Sequence, residues 1–226
     1  MSDDLQIRLR VYDLALQAGP LRLCEKLTFD LKTKEGLILR GPNGSGKTTL
    51  LRTLAGFNSA PQGEISLRLH DLKDGNDDIE LAGNCHYFGH KNSLKSAHTV
   101  RQNLAFFARF NGADISVIDQ AATQLDLQSL LDLPVSVLSA GQTRRAAFAR
   151  LIIAPRAVWL LDEPSAALDV RAAQIIEQQC EAHLRAGGIV IAATHLPFLE
   201  DYGLSRTLDL AHFRPDPSAQ HAAWSS

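Results

Sequence analysis

The sequence predicts an α/β fold: a parallel β-sheet with helices on its faces, an antiparallel β part at the N-terminus and a helical insert. Three observations carry the prediction. Short apolar runs, Leu37-Ile38-Leu39, Ala157 to Leu161 and Ile189 to Ala193, alternate with segments of helical periodicity, the β-α-β pattern of a parallel sheet. Ile7, Leu9 and Val11 instead alternate with Arg8, Arg10 and Tyr12, the period of a strand with one wet face. From about Thr99 to Leu133 the spacing is helical.

In order, a second alternating strand covers roughly Arg22 to Leu31, and Gly36 opens the first buried run. A helical segment, Thr49 to Ala55, follows it, and alternation returns from Glu64 to Leu69. His70 to Gly83 is polar and Asp-rich, which reads as a hairpin tip or loop. Asp74-Gly75-Asn76-Asp77-Asp78 holds the residues of a calcium loop but not their order, so it reads as solvated loop. Thr99 is placed to cap a helix carrying Leu104, Phe107 and Phe110, and Ser116 to cap one carrying Ile118, Ala122 and Leu125. A helix from about Gly141, the run from Ala157, a helix Val170 to Arg185 stopped by Gly187-Gly188, and the strand Ile189 to Ala193 complete the series. The expected organisation is one domain over residues 1–212, with a helical part at about 92–153. Residues 213–226, with Pro215, Pro217 and Ser225-Ser226, read as a frayed tail.

The 226 residues carry a formal net charge of -2, no basic footprint, which argues against nucleic acid as a partner. The apolar runs around Leu160 and Ile191 are too short to span a bilayer. Met1-Ser2-Asp3-Asp4 is acidic where an export signal is basic, so the cytosolic side is expected. The three cysteines, Cys24, Cys85 and Cys180, form no Cys-x-x-Cys pair and read as reduced, mostly buried thiols.

Two sites carry chemistry by themselves. Gly41-Pro42-Asn43-Gly44-Ser45-Gly46-Lys47-Thr48 joins an apolar run to a helix that opens near Thr49. The glycines let backbone N–H groups turn inward around phosphate oxygens, and the helix adds its positive end. Lys47 is then placed for the β- and γ-phosphates of ATP, and the Thr48 hydroxyl for Mg²⁺. The run Ala157-Val158-Trp159-Leu160-Leu161 delivers Asp162 and Glu163 at its carboxyl end. There Asp162 is expected to hold Mg²⁺ through water, while Glu163 orients or deprotonates the water that attacks the γ-phosphate.

Between these sites stands Leu138-Ser139-Ala140-Gly141-Gln142, followed by Arg144-Arg145. With it the chain resembles the ATP-binding cassette family, whose fold is a P-loop NTPase with a RecA-like parallel core. The resemblance covers residues 5 to 212. It implies that Ser139 and Gly141, with Gln142, bind the γ-phosphate of ATP held by the opposite subunit, so the working unit is a homodimer with nucleotide at the interface. Ala140 replaces the family's usual Gly. Ala166-Ala167-Leu168-Asp169 resembles the D-loop at that interface, with Asp169 assigned to the nucleotide set. Thr194-His195 resembles the switch histidine, which bonds the γ-phosphate and steadies the attacking water.

Departures narrow the resemblance. Tyr87-Phe88-Gly89-His90-Lys91-Asn92 puts His90 where most members have a Q-loop glutamine, and makes it a further candidate for the metal or for coupling to partners. Register places Ala18 where an aromatic residue commonly stacks on adenine. The Gly-His loop, the Ala140 signature with its two arginines and the short C-terminus are similar to the ATP-binding subunits of bacterial haem exporters for cytochrome c maturation. That similarity implies integral membrane subunits of the maturation complex as partners, docking near His90 and the helical part, and a place on the cytoplasmic face of the inner membrane. It also implies that hydrolysis drives release of a haem-loaded periplasmic chaperone. His86, His90, His98 and Cys85 lie close in sequence but read as ordinary loop residues rather than haem or metal ligands. A cassette subunit for another solute and a soluble non-transport cassette protein remain alternatives.

Overall fold

The computed structural model describes residues 5–71, 75–166 and 168–215. Met1 to Asp4, Asp74, Ala167 and the tail from 216 on, with Pro217 and Ser225-Ser226, lie outside the described residues. The strands are β1 (Leu5–Ala18), β2 (Leu21–Lys32), β3 (Gly36–Arg40), β4 (Gln62–Asp71), β5 (Gly75–Ile79), β6 (Cys85–Phe88), β7 (Val158–Asp162), β8 (Ile189–Ala193) and β9 (Ser205–Asp209). The helices are α1 (Lys47–Leu54), α2 (Leu81–Asn84), α3 (Val100–Phe110), α4 (Val117–Gln124), α5 (Ala140–Ile153) and α6 (Val170–Arg185).

Two sheets result. One is antiparallel, in the order β2-β1-β4-β5, and the other parallel, in the order β6-β7-β8-β3-β9. Every residue of β7 and β8 is buried, as a central parallel strand covered on both faces requires. Alternate residues serve different cores. Ile38, Trp159, Leu161, Val190 and Ala192 pack with α3, α4, α5 and α6. Leu37, Leu39, Val158, Leu160, Ile189 and Ile191 pack with α1 and the antiparallel sheet. The parallel sheet therefore partitions the protein. In register, Leu39 pairs Ala193, and Ala193 pairs Asp162, so the chain leaves β3, β7 and β8 at one level.

Helix starts follow local chemistry. Thr99 caps α3 in a reciprocal box with Gln102, Ser139 caps α5 with Gln142, and Asp169 caps α6, each satisfying amides that the first turn leaves open. Ser116 departs from expectation. Its side chain makes no cap bond, and the Asp114 carboxylate accepts from its backbone N–H instead. The polar stretch 70–83 is also not all loop. Residues 75–79 form β5, with Asp77 opposite Leu69 and Asp78 opposite Arg68, and α2 follows. Among the described residues no helix is long and apolar enough to cross a membrane.

Candidate active site

The loop after β3 is shaped by backbone that favours glycine. Gly41, Gly44 and Gly46 have φ of 131°, 79° and 99°, and Gly46 is the residue from which α1 begins. A side chain at Gly46 would be strained at that φ and would press on the Leu23 Cβ at 3.4 Å. Pro42 accepts from the Ser45 N–H at 3.1 Å, closing the turn. Lys47 folds back over the loop. Its Nζ donates to the carbonyls of Gly41 at 2.7 Å and Pro42 at 3.1 Å, and burial lowers its pKa against the opposing pull of Glu163, Asp162 and Asp209. The Ser45 hydroxyl is buried without a hydrogen-bond partner, an orphan polar atom in a loop whose shape suits an anion.

A cavity of about 550 Å³ stands over the loop. Asn43, Gly44, Gly46, Lys47, Thr48 and Thr49 line one side, Asp162, Glu163 and His195 the other, and Ala18, Leu21 and Leu23 form an aliphatic wall. Ala18 is thus at the cavity, and among the described residues no Phe, Tyr or Trp lines it.

The Thr48 hydroxyl donates to Asp162 Oδ1 at 3.1 Å, and Asp162 is buried. A hydroxyl and a carboxylate held together beside a phosphate loop are the oxygen donors that Mg²⁺ takes. Glu163 adopts φ of 49°, rare for a non-glycine residue. Its N–H donates to the Ala193 carbonyl at 2.8 Å, and its Oε1 lies 3.8 Å from Nε2 of His195.

Sequence reasoning missed Tyr87. Its hydroxyl donates to Asp162 Oδ2 at 3.2 Å, so both carboxylate oxygens are held. Burial and the adjacent Asp162 charge push the phenol up to about 12, which keeps it a donor. Its ring meets Phe57 edge-on at 5.6 Å between centroids. It also crosses Gly89 so closely that a Cβ there would stand 2.7 Å from the ring; the glycine of the Gly-His loop makes room for Tyr87.

Other expected residues stand elsewhere. Ser139, Gly141, Gln142 and Asp169 do not line the cavity over the loop. Ser139 and Gln142 bond one another across the start of α5, and the Asp169 carboxylate accepts from the Ala172 N–H at 2.8 Å. His90 is exposed and does not line the cavity with Thr48 and Asp162. It lines instead a small cavity with Glu163 and Arg144. His86 is not a loop residue but a half-buried member of β6, its Nε2 against the Ala154 carbonyl, with its pKa lowered to about 4 by burial. Among the described residues no group of three or more His, Cys, Asp or Glu is arranged to hold a metal.

A P-loop after β3, paired acids at the end of β7 and a histidine after β8, the strand between them, define a nucleotide-hydrolysing cassette. The chain belongs to the ABC transporter family, which matches residues 24–166, and is an ABC-type ATPase. Among its relatives is the cytochrome c biogenesis ATP-binding export protein CcmA of Brucella melitensis biotype 1, 37% identical over 214 residues that cover 92% of this chain and 97% of that protein. The protein of the same name from Rhizobium meliloti is 40% identical over 213 residues, covering 92% and 99%. That of Rhizobium johnstonii is 43% identical over 189 residues, covering 81% and 86%. A solved structure of an ABC transporter ATP-binding protein from Pyrococcus furiosus shares the fold with a TM-score of 0.77 at 22% identity, over 92% of this chain and all of that one.

Proposed function

We propose that this chain, as one cassette over residues 1–212 with its helical part at about 92–153, is the ATP-hydrolysing subunit of the haem exporter for cytochrome c maturation. The observation that carries the chemistry is the convergence of Lys47, Thr48, Asp162, Glu163 and His195 on one cavity. The cargo rests on the similarity to cytochrome c biogenesis export proteins over nearly the whole chain. Lys47 neutralises the β- and γ-phosphates, and the backbone N–H groups of residues 43–49 cradle them. Thr48 and Asp162 are the residues that would hold Mg²⁺, which supplies charge neutralisation at the phosphates. Glu163 orients the attacking water, and His195 steadies it and bonds the γ-phosphate.

Ser139, Gly141 and Gln142 act on nucleotide held by a second copy of the chain. Two facts support this. The start of α5 is exposed at Ser139, and among the described residues a Cβ at Gly141 would meet only Leu168, at an ordinary 3.7 Å. Asp169 lies at the same interface, while its carboxylate keeps α6 capped. Integral membrane subunits of the maturation complex dock on the helical side. There Phe106 and Phe110 are 64% and 80% exposed, beside a groove of about 800 Å³ lined by α3 and residues 93–99. The chain works on the cytoplasmic face of the inner membrane, where hydrolysis drives release of the haem-loaded chaperone.

The test uses Glu163→Gln. The purified variant is expected to bind MgATP as the parent does and to lose hydrolysis, because only the water-orienting carboxylate is removed. Cells carrying only this variant are expected to lack mature c-type cytochromes on haem-stained gels, with other haem proteins normal. Parent-rate hydrolysis would refute the role of Glu163, and normal c-type cytochromes would refute the haem-export assignment.

A further inference from the structure

Arg144, early in α5, carries none of the roles assigned above, yet it makes six hydrogen bonds. Only 6% of it is exposed. Nη1 donates to the carbonyl of Gly89 at 2.7 Å, to Asn92 Oδ1 at 3.1 Å and to the carbonyl of His90 at 3.4 Å. Nη2 donates to the carbonyls of Glu163 at 2.9 Å and Asp162 at 3.2 Å, and Nε to that of Pro164 at 3.4 Å. The guanidinium carbon lies 3.9 Å from the centre of the Phe88 ring, in range for a cation–π contact.

Every one of these acceptors is a carbonyl or amide oxygen. The carboxylates of Asp162 and Glu163 attract the guanidinium through their charge, but a buried cation that hydrogen-bonds no carboxylate depends on such dipoles being fixed around it. The dependence runs both ways, for the dipoles belong to two loops with no direct need of one another. One is the turn after β7, where Glu163 holds a left-handed conformation that is strained for a non-glycine residue. Its N–H is tied to Ala193 and its carbonyl to Arg144, so the peptide is gripped at both ends and the direction of its side chain is set. The other is the loop after β6, with Gly89, His90 and Asn92. A small cavity shared by His90, Asn92, Ala140, Arg144 and Glu163 marks where α5 and the two loops meet.

We propose that Arg144 is a positioning residue for hydrolysis: one edge of its guanidinium holds the turn that aims Glu163 at the phosphates, the other holds the His90 loop, and both are thereby tied to the end of α5 that carries Ser139 and Gly141. The proposal rests on the reading of Glu163 as the residue that orients water. A lysine cannot replace Arg144, because a point charge with a single nitrogen does not span two loops.

The experiment is a double-mutant cycle on the purified full chain with MgATP as substrate. It compares the parent, Arg144→Lys, Glu163→Gln and the double variant. Arg144→Lys is expected to keep KM and the MgATP Kd within about threefold of the parent while kcat falls by about tenfold to a hundredfold, as for a reacting group misplaced by an ångström. In the Glu163→Gln background the same change is expected to alter the residual rate by less than about twofold, since no carboxylate remains to be misplaced. A residue that served only the fold would lower both backgrounds alike, so additivity overturns the proposal, as does a parent-like kcat in Arg144→Lys. Should Arg144→Lys be insoluble, Arg144→Gln, which removes the buried charge and its desolvation cost, takes its place in the cycle. Insolubility of both would also overturn the proposal, making Arg144 a requirement of folding. Parent-rate hydrolysis by Glu163→Gln would instead bring down the reading of Glu163 itself.

Discussion

Asp162 shows why a residue's type and position in a motif specify only part of its chemistry. A lone buried carboxylate has two oxygens to satisfy, and here Thr48 bonds one and Tyr87 the other. Thr48 belongs to the loop that must meet nucleotide, whereas Tyr87 is held in place by Phe57 and the bare Gly89. On the proposed assignment of Asp162 to Mg²⁺, Tyr87 is an outer partner of the ligating carboxylate, the kind whose loss costs about tenfold to a hundredfold in metal affinity. Tyr87→Phe keeps the ring and removes the hydroxyl. It is expected to raise the Mg²⁺ concentration for half-maximal hydrolysis about tenfold while kcat at saturating Mg²⁺ stays within about twofold; a Mg²⁺ titration of the ATPase rate checks this, and an unshifted midpoint would disconnect Tyr87 from the site. Lys47, Thr48, Asp162 and Glu163 were legible in the sequence because each stands inside a short contiguous pattern. Tyr87 and Arg144 were not, because their partners lie across a sheet register or in two separate loops, and sequence order does not report such distances.

Among elements, the same division has a structural cause. The central strands β3, β7 and β8 are apolar but for Arg40 and Asp162 at the ends of the first two, because both faces are covered, and the sequence announces them. The strands it leaves obscure, β5, β6 and β9, all sit at the edges of their sheets. An edge strand has fewer neighbours to bury against and tolerates polar residues, so Gly75-Asn76-Asp77-Asp78-Ile79 reads as loop until β4 supplies its partner. Helix α5 makes a different point. Its start is encoded by the Ser139–Gln142 box, which any helix could use, yet Gly141 is a poor helix former kept one residue inside it. Neither its φ nor any neighbour among the described residues demands it, which fits the proposed place of the start of α5 against a second copy's nucleotide. Gly141→Ala is expected to leave the isolated chain as stable or up to about 1 kcal/mol more stable, measured by denaturant titration, while hydrolysis falls by about tenfold or more as the crowded anion site meets the partner's nucleotide. Full activity in that variant would remove the start of α5 from the site.

At the scale of the whole molecule, the two cores on either side of the parallel sheet join into one unit through the sheet itself, and its stability should carry the signature of groups buried against it. Two half-buried histidines lie there. His86, on β6, faces the Ala154 carbonyl beside Arg150 and Arg156, and His183, on α6, stacks on Trp159 at 4.0 Å between ring centroids. Burial lowers each to about 4, in His86 with added repulsion from the two arginines. The sign follows from linkage. Above the unfolded value of about 6.5 both states are neutral and neither histidine biases folding. Below it the unfolded chain takes up protons that the folded chain refuses, so stability falls as pH drops from about 6.5 toward 4, by on the order of 1.4 kcal/mol per pH unit for each group. Between pH 7 and 5, above the ordinary carboxylate range, denaturant midpoints should therefore decline steadily. His86→Gln keeps an N–H for Ala154 and removes one titration, and the decline should become about half as steep. A slope unchanged in that variant would mean that the acid sensitivity of the fold arises elsewhere than at β6.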